Sequence, residues 1–302
     1  MKWRLIMMAL TMYGLTGALH AEQQPVYRDK LPAEIVRRAA TFATDLTFPN
    51  HPETLADVDP PRMALLKPAG DGPFPAIVLV HQCSGLNPAV SAWVRRAISR
   101  DYAVLLLDSL TARGVTSVCH GPKAGVNLIR GTRDVLQAAQ FLRKQSFVDG
   151  ERVALVGFSW GGMIGLLASS RHYVGALESG PGFAAVVSFY PRCRRITPPN
   201  GYPFELVNSD IAQPLLVLMG EADNETPAAD CVRNLDPIKA AGAPVEWHSY
   251  PHATHCWDCQ HLDGFRKIDV HGNEVSFTYQ QTLVDDSERR LFDFLDRRLT
   301  RR

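Results

Sequence analysis

Residues Arg152–Phe158 read RVALVGF, and from Val153 onward none of their side chains is polar. A strand that is apolar on both faces belongs inside a parallel sheet covered by helices, because a solvated face would leave half of it in water. The chain leaves this strand through Gly157-Phe158-Ser159-Trp160-Gly161-Gly162 and enters a helical pattern over Trp160–Ser170. A serine between a buried strand and a helix, with glycines leaving room for strained backbone, is placed as an exposed nucleophile. The helix N-terminus aims backbone N–H groups at negative charge developing there. An ordinary Gly-rich turn is the competing reading; the position between strand and helix separates the two.

The rest of the chain repeats the same unit. Arg62–Lys67 and Phe74–His81 are expected as neighbouring strands joined by the turn Pro68–Pro73. Ser91–Arg100 has helical spacing, Tyr102–Asp108 reads as a buried strand, and Thr132–Lys144 as an amphipathic helix. Ala184–Tyr190 and Pro214–Met219 are further strands, followed by a helix over Pro227–Ala241, a last strand at Val245–Tyr250 and an amphipathic helix over Asp285–Leu299. Alternating strands and helices predict an α/β fold with a mostly parallel, doubly wound sheet and helices on both faces. In such sheets ligands bind at the C-terminal ends of the strands. Glu22–Pro61 and Cys256–Thr282 are the least periodic stretches, expected as an N-terminal arm and a cap loop.

The N-terminus predicts the compartment. Lys2 and Arg4 precede an apolar stretch from Leu5 to Leu19 broken by Thr11, Gly14, Thr16 and Gly17. This is the layout of a secretory signal peptide, and it is too short and broken for a membrane helix of about 20 apolar residues. Cleavage is expected after Ala21, with Ala18 the competitor, leaving residues 22–302 as a single exported domain without a stable membrane anchor. Composition agrees with a folded domain: 46% of the 302 residues are hydrophobic and 21% charged, unlike disordered or collagen-like chains. Thirty-two basic against 31 acidic residues leave a formal charge of +1, without the basic excess that a nucleic-acid partner requires.

A nucleophilic serine needs a base and an orienting acid, expected in the chain order Ser, Asp or Glu, His. Asp223 follows the strand at Pro214–Met219, and His255 follows the strand at Val245–Tyr250; Glu221 and Asp230 are rival acids and His252 a rival base. From Arg62 to Leu299 the chain resembles the dienelactone hydrolase family of the α/β-hydrolase superfamily. The residues carrying this are His81-Gln82-Cys83-Ser84-Gly85, Leu107-Asp108-Ser109 with Arg113-Gly114, the Gly157–Gly162 segment, Ser188-Phe189-Tyr190-Pro191, Gly220–Asp223 with Thr226-Pro227-Ala228, and Tyr250–His255. The resemblance implies a triad of Ser159, His255 and Asp223, and an oxyanion hole from the backbone N–H groups of Trp160 and Cys83. It also implies hydrolysis of a small ester or lactone; no cofactor or resident metal is expected, since oxidised cysteines cannot ligate zinc and the base role claims His255. The family's name-giving enzymes carry Cys at the elbow where this chain has Ser159, which favours a serine esterase over the dienelactone substrate.

The six cysteines extend this picture. Cys83 and Cys119 follow successive strands at one sheet edge, Cys193 and Cys231 do likewise, and Cys256 and Cys259 remain for each other. In an oxidising compartment this placement favours three disulfides in those pairs. The rival is a zinc or redox site drawn from His252, His255, Cys256, Cys259 and His261. A second alternative is a non-catalytic small-molecule binding protein on the same fold. Gln82, Arg113 and Trp160 are candidate substrate-binding residues, Arg113 through a substrate carboxylate against a structural ion pair. The Arg192, Arg194 and Arg195 cluster reads as a solvated face or as an attraction for acidic substrates.

Overall fold

The structure, a computed structural model, describes residues 30–55, 60–177, 180–198, 201–269 and 272–300. The expected signal peptide at residues 1–21 lies outside them. A seven-stranded sheet forms the centre, in the order β1 (Ala64–Leu66), β3 (Ala103–Leu107), β2 (Phe74–Val80), β4 (Val148–Phe158), β5 (Ala185–Phe189), β6 (Leu215–Gly220) and β7 (Val245–Tyr250). Six strands run parallel and β1 alone is antiparallel, paired with β3 through Leu65 opposite Leu105. The expected pairing of β1 with β2 is therefore corrected. The turn between them carries the chain past β3, and β2 lies between β3 and β4.

Why the strands read as continuous apolar runs is visible in their two faces. Ala76, Val78 and Val80 of β2 join one core layer with Val135, Ile164 and Leu235 from α3 (Leu128–Arg143), α4 (Trp160–Ala168) and α6 (Ala228–Ala240). Ile77 and Leu79 join the opposite layer with Trp93 and Val94 of α2 (Pro88–Ile98) and Leu291, Phe292 and Leu295 of α7 (Gln281–Arg298). Each fully buried Val, Leu or Ile contributes about 1.5–3 kcal/mol, so both faces of the sheet carry stabilisation and neither tolerates a charge. Helices α2 and α3 begin earlier than their apolar spacing predicts, because Asn87 and Asn127 cap them. The Asn87 side chain accepts from the N–H groups of Ala89 and Val90, and the Asn127 side chain from that of Arg130.

Two short helices, α1 (Ala33–Ala39) and α5 (Arg171–Ala176), went unread for want of enough turns to show a period. β7 is the last strand of the main sheet, but the expected cap loop contains a small antiparallel pair of its own, β8 (Arg266–Ile268) with β9 (Glu274–Ser276). Among the described residues no helix is long and apolar enough to cross a membrane.

Candidate active site

Ser159 sits between β4 and α4 with φ 51° and ψ −106°, a left-handed conformation that costs a residue with a side chain about 1–3 kcal/mol. Packing holds it there. A Cβ on Gly157 would lie 2.1 Å from the Gly161 carbonyl oxygen, and one on Gly161 would lie 2.7 Å from that of Val80. The flanking glycines are thus required by backbone approach, which is why the serine can be thrust out of the turn. The Ser159 N–H donates to the Phe189 carbonyl at 2.9 Å, tying the turn to the end of β5.

Asp223 follows β6 and His255 follows β7. The two loops are joined by the Ala222 N–H donating to the Ala253 carbonyl at 3.1 Å. His255 Nδ1 lies 2.7 Å from Asp223 Oδ2, and His255 Nε2 lies 3.1 Å from Ser159 Oγ. All three side chains are buried. The other carboxylate oxygen, Asp223 Oδ1, accepts from the N–H groups of Glu225 and Thr226 at 2.9 and 2.8 Å. Burial pulls the His255 imidazole toward its neutral form, but the adjacent Asp223 charge and hydrogen bond outweigh it, so its pKa stands above the ordinary 6.5. A basic imidazole between a carboxylate and a hydroxyl is the arrangement that removes the hydroxyl proton.

The rival residues are elsewhere. Glu221 accepts from the Ser249 hydroxyl, Asp230 pairs with Arg194 and Arg233, and His252 is exposed. Arg113 is corrected from substrate ligand to structural clamp. Its guanidinium is buried in a two-pronged pair with Asp134 at 2.6 and 2.8 Å, and it also donates to the carbonyls of Ser109 and Thr44. No donor is left facing a substrate. The Trp160 side chain is likewise core rather than pocket, stacked on His81 at 5.5 Å. The Gln82 side chain accepts from Asn87 at 2.6 Å and donates to the Tyr190 hydroxyl at 3.2 Å, which commits it to a buried network.

That network was not read from the sequence. The Tyr190 hydroxyl and the Trp93 indole N–H each donate to a carboxylate oxygen of Asp258 at 2.8 Å, and burial raises the Asp258 pKa. The Tyr190 ring meets His255 edge-on at 4.8 Å. Thr226 also escaped notice as a site residue: its hydroxyl lies 2.7 Å from Asp223 Oδ2 and 3.1 Å from His255 Nδ1. Its sequence signals are its place in the Thr226-Pro227-Ala228 marker and the Asp-x-x-Thr spacing at the mouth of a helix.

The cysteines are joined as Cys83–Cys119, Cys193–Cys231 and Cys256–Cys259. The first pins the loop after β2 to the loop after β3, and the second pins the loop after β5 to α6. With partners 36 and 38 positions apart in sequence, each removes about 4 kcal/mol of unfolded-chain entropy on a loop-closure account. Because the Cys256 and Cys259 sulfurs bond each other, neither is a thiolate ligand for zinc in this state.

Strand order, elbow and the Ser–His–Asp contacts define an α/β hydrolase. The model of the dienelactone hydrolase family matches residues 62–299, and the chain belongs to that family, which makes it a carboxylic-ester hydrolase of the dienelactone hydrolase type. A relative from Methylorubrum extorquens named "Putative carboxymethylenebutenolidase" is 26% identical over 210 residues, 66% of this chain and 68% of that protein. Two solved structures share the fold. One, from Klebsiella pneumoniae, is described as a "Putative Dienelactone Hydrolase", with TM-score 0.57 and 19% identity over 75% of this chain and 88% of the other. The second is a thermophilic esterase from Thermogutta terrifontis with propionate bound, with TM-score 0.55 and 15% identity over 78% and 88%.

Proposed function

We propose that the protein is an exported serine esterase that cleaves small carboxylic esters or lactones through an acyl-enzyme on Ser159. The observation that carries this reading is the continuous chain from Asp223 Oδ2 through His255 to Ser159 Oγ, with links of 2.7 and 3.1 Å. For Nε2 to accept the serine proton, the ring proton must sit on Nδ1, and Asp223 holds that tautomer. As Ser159 attacks the ester carbonyl, its proton passes to His255 Nε2 and the carbonyl becomes a tetrahedral oxyanion. The backbone N–H groups of Trp160, first residue of α4, and of Cys83, on the disulfide-pinned loop, are assigned as its donors. One such donor contributes about 3–4 kcal/mol to the transition state. His255 then protonates the leaving alcohol, and water attacks the acyl-enzyme by the same route in reverse.

Export is supported by the signal-like residues 1–21, with 22–302 as the mature single domain, and by six cysteines paired in three disulfides, which persist in the periplasm or outside the cell. The near-zero formal charge suits a neutral or weakly acidic small substrate. The test is turnover of a panel of p-nitrophenyl esters of increasing acyl length by the oxidised protein and by Ser159→Ala. The expected result is hydrolysis favouring short chains and its loss in the variant. Ester turnover by Ser159→Ala at the original rate would overturn the assignment.

A further inference from the structure

We propose that the Thr226 hydroxyl is a positioning group for the base, a hydrogen-bond partner of both Asp223 and His255 whose proton turns away as charge develops on the imidazole. This rests on the triad reading above and adds a fourth residue to it.

A hydroxyl has one proton and two lone pairs, so its contacts can be assigned. Nδ1 of His255 carries the ring proton whenever Nε2 faces Ser159 as an acceptor, so toward Nδ1 the threonine oxygen, at 3.1 Å, can only accept. Its own proton then has two acceptors in reach, Asp223 Oδ2 at 2.7 Å and the Tyr190 carbonyl at 3.2 Å. With the imidazole neutral, the carboxylate is the stronger acceptor, since charge-assisted hydrogen bonds are about twice as strong as neutral ones. When Nε2 takes the serine proton, the ring becomes a cation and draws on Asp223 Oδ2. The hydroxyl can then turn its proton to the Tyr190 carbonyl, release the carboxylate oxygen and keep a lone pair on Nδ1–H. No proton leaves the threonine; only its direction changes.

The surroundings fix each part of this arrangement. The Thr226 N–H is bonded to Asp223 Oδ1, so the carboxylate itself sets the threonine. The Tyr190 carbonyl belongs to a residue held at φ 37°, with its N–H donating to Leu218 at 2.7 Å. The other charged groups acting on His255 are Glu225 beside Thr226, Lys267 on β8, which pairs with Glu225 at 2.9 Å, and Asp258 after β7. The Tyr190 and Phe277 rings complete its surroundings. Among the described residues, Asp223 Oδ2 and Thr226 Oγ1 are the hydrogen-bond neighbours of Nδ1, so no other group duplicates the threonine.

The test compares Thr226→Val, which keeps the branched shape, with Thr226→Ser, which restores the hydroxyl; Thr226→Ala repeats it if the valine variant fails to accumulate. Thr226→Val is expected to lower kcat about tenfold with KM within about twofold, the pattern of an interaction realised in the transition state. Without the hydroxyl, the charged ring loses an acceptor at Nδ1–H, so the acid limb of kcat/KM moves down by roughly half a pH unit. Thr226→Ser should return both to the parent values. Unchanged kcat and limb in Thr226→Val, or a Thr226→Ser variant as impaired as Thr226→Val, overturns the proposal. Ser159→Ala, run alongside, separates the failures: if it stays active the triad reading falls, and if it is inactive while Thr226→Val is unaffected only the threonine proposal falls.

Discussion

Two imidazoles are buried within reach of the elbow, and they are pushed in opposite directions. His255 touches a carboxylate at 2.7 Å, and its pKa stands above 6.5 despite burial. His81 is bonded to neutral groups: its Nε2 accepts from the Ser109 N–H at 3.2 Å, which leaves the proton on Nδ1 to donate to the Gln82 carbonyl at 2.5 Å. Its nearest carboxylate, Asp108, is 4.0 Å away, and burial lowers its pKa. Burial is thus common to both, and the partner decides the sign. One ring is equipped to gain a proton during a reaction, while the other is a neutral strut that ties the loop after β2 to the loop after β3.

The largest effect that breaks this contrast is Asp223→Asn. It removes the charge that raises His255 and the acceptor that fixes its tautomer, so kcat should fall by about 10⁴. The acid limb of kcat/KM, expected above pH 6.5 in the parent, should move down. A pH–rate profile of parent and variant checks both. A parent limb below 6.5 would contradict the assigned electrostatics.

His81→Phe comes next. The ring can still stack on Trp160, but the Ser109 N–H and the Gln82 carbonyl lose their imidazole partner inside the protein. The expected loss is about 2–4 kcal/mol, measured by urea unfolding. The two histidines should also give opposite pH slopes. His81, depressed in the fold, contributes stability that is present above about 6.5 and lost as pH falls toward its folded value. His255, raised in the fold, contributes stability present below about 6.5 and lost as pH rises through its folded value. Unfolding curves from pH 5 to 8 for His81→Phe and His255→Gln read the slopes separately; equal slopes would erase the distinction.

The smallest effect expected is Arg113→Ala, which sharpens the division between structural and reacting charge. Asp134 would keep Arg130 as a partner at 2.6 Å, so the cost should be about 2–3 kcal/mol of stability, below the 3–5 typical of stranding a buried ion. KM should stay within about twofold; a large KM rise for acidic esters alone would return Arg113 to the substrate.

The sequence made the proposed reacting residues legible and the struts illegible, for a physical reason. Ser159 and Asp223 each follow a buried strand whose apolar run, in β4 and β6, marks its end, while His255 follows the edge strand β7, which only Val245 and Tyr250 anchor in the core. The clamp on Arg113 depends on Asp134, 21 residues away on α3, and on a carbonyl of the N-terminal arm. Nothing periodic announces such a meeting. Thr226 and Asp258 were missed likewise, as short polar side chains on loops whose partners arrive only through the fold. β1 was misplaced because closeness in sequence suggested β2 as its neighbour, whereas the sheet order makes it β3.

The central claim is that Ser159 is the nucleophile that His255 and Asp223 activate. Its most direct measurement is labelling of the oxidised protein with a fluorophosphonate, followed by peptide mapping of the adduct. The account predicts one adduct per chain on Ser159, absent in Ser159→Ala and much slower in Asp223→Asn. An adduct on any other residue, or undiminished labelling of Ser159→Ala, would contradict it.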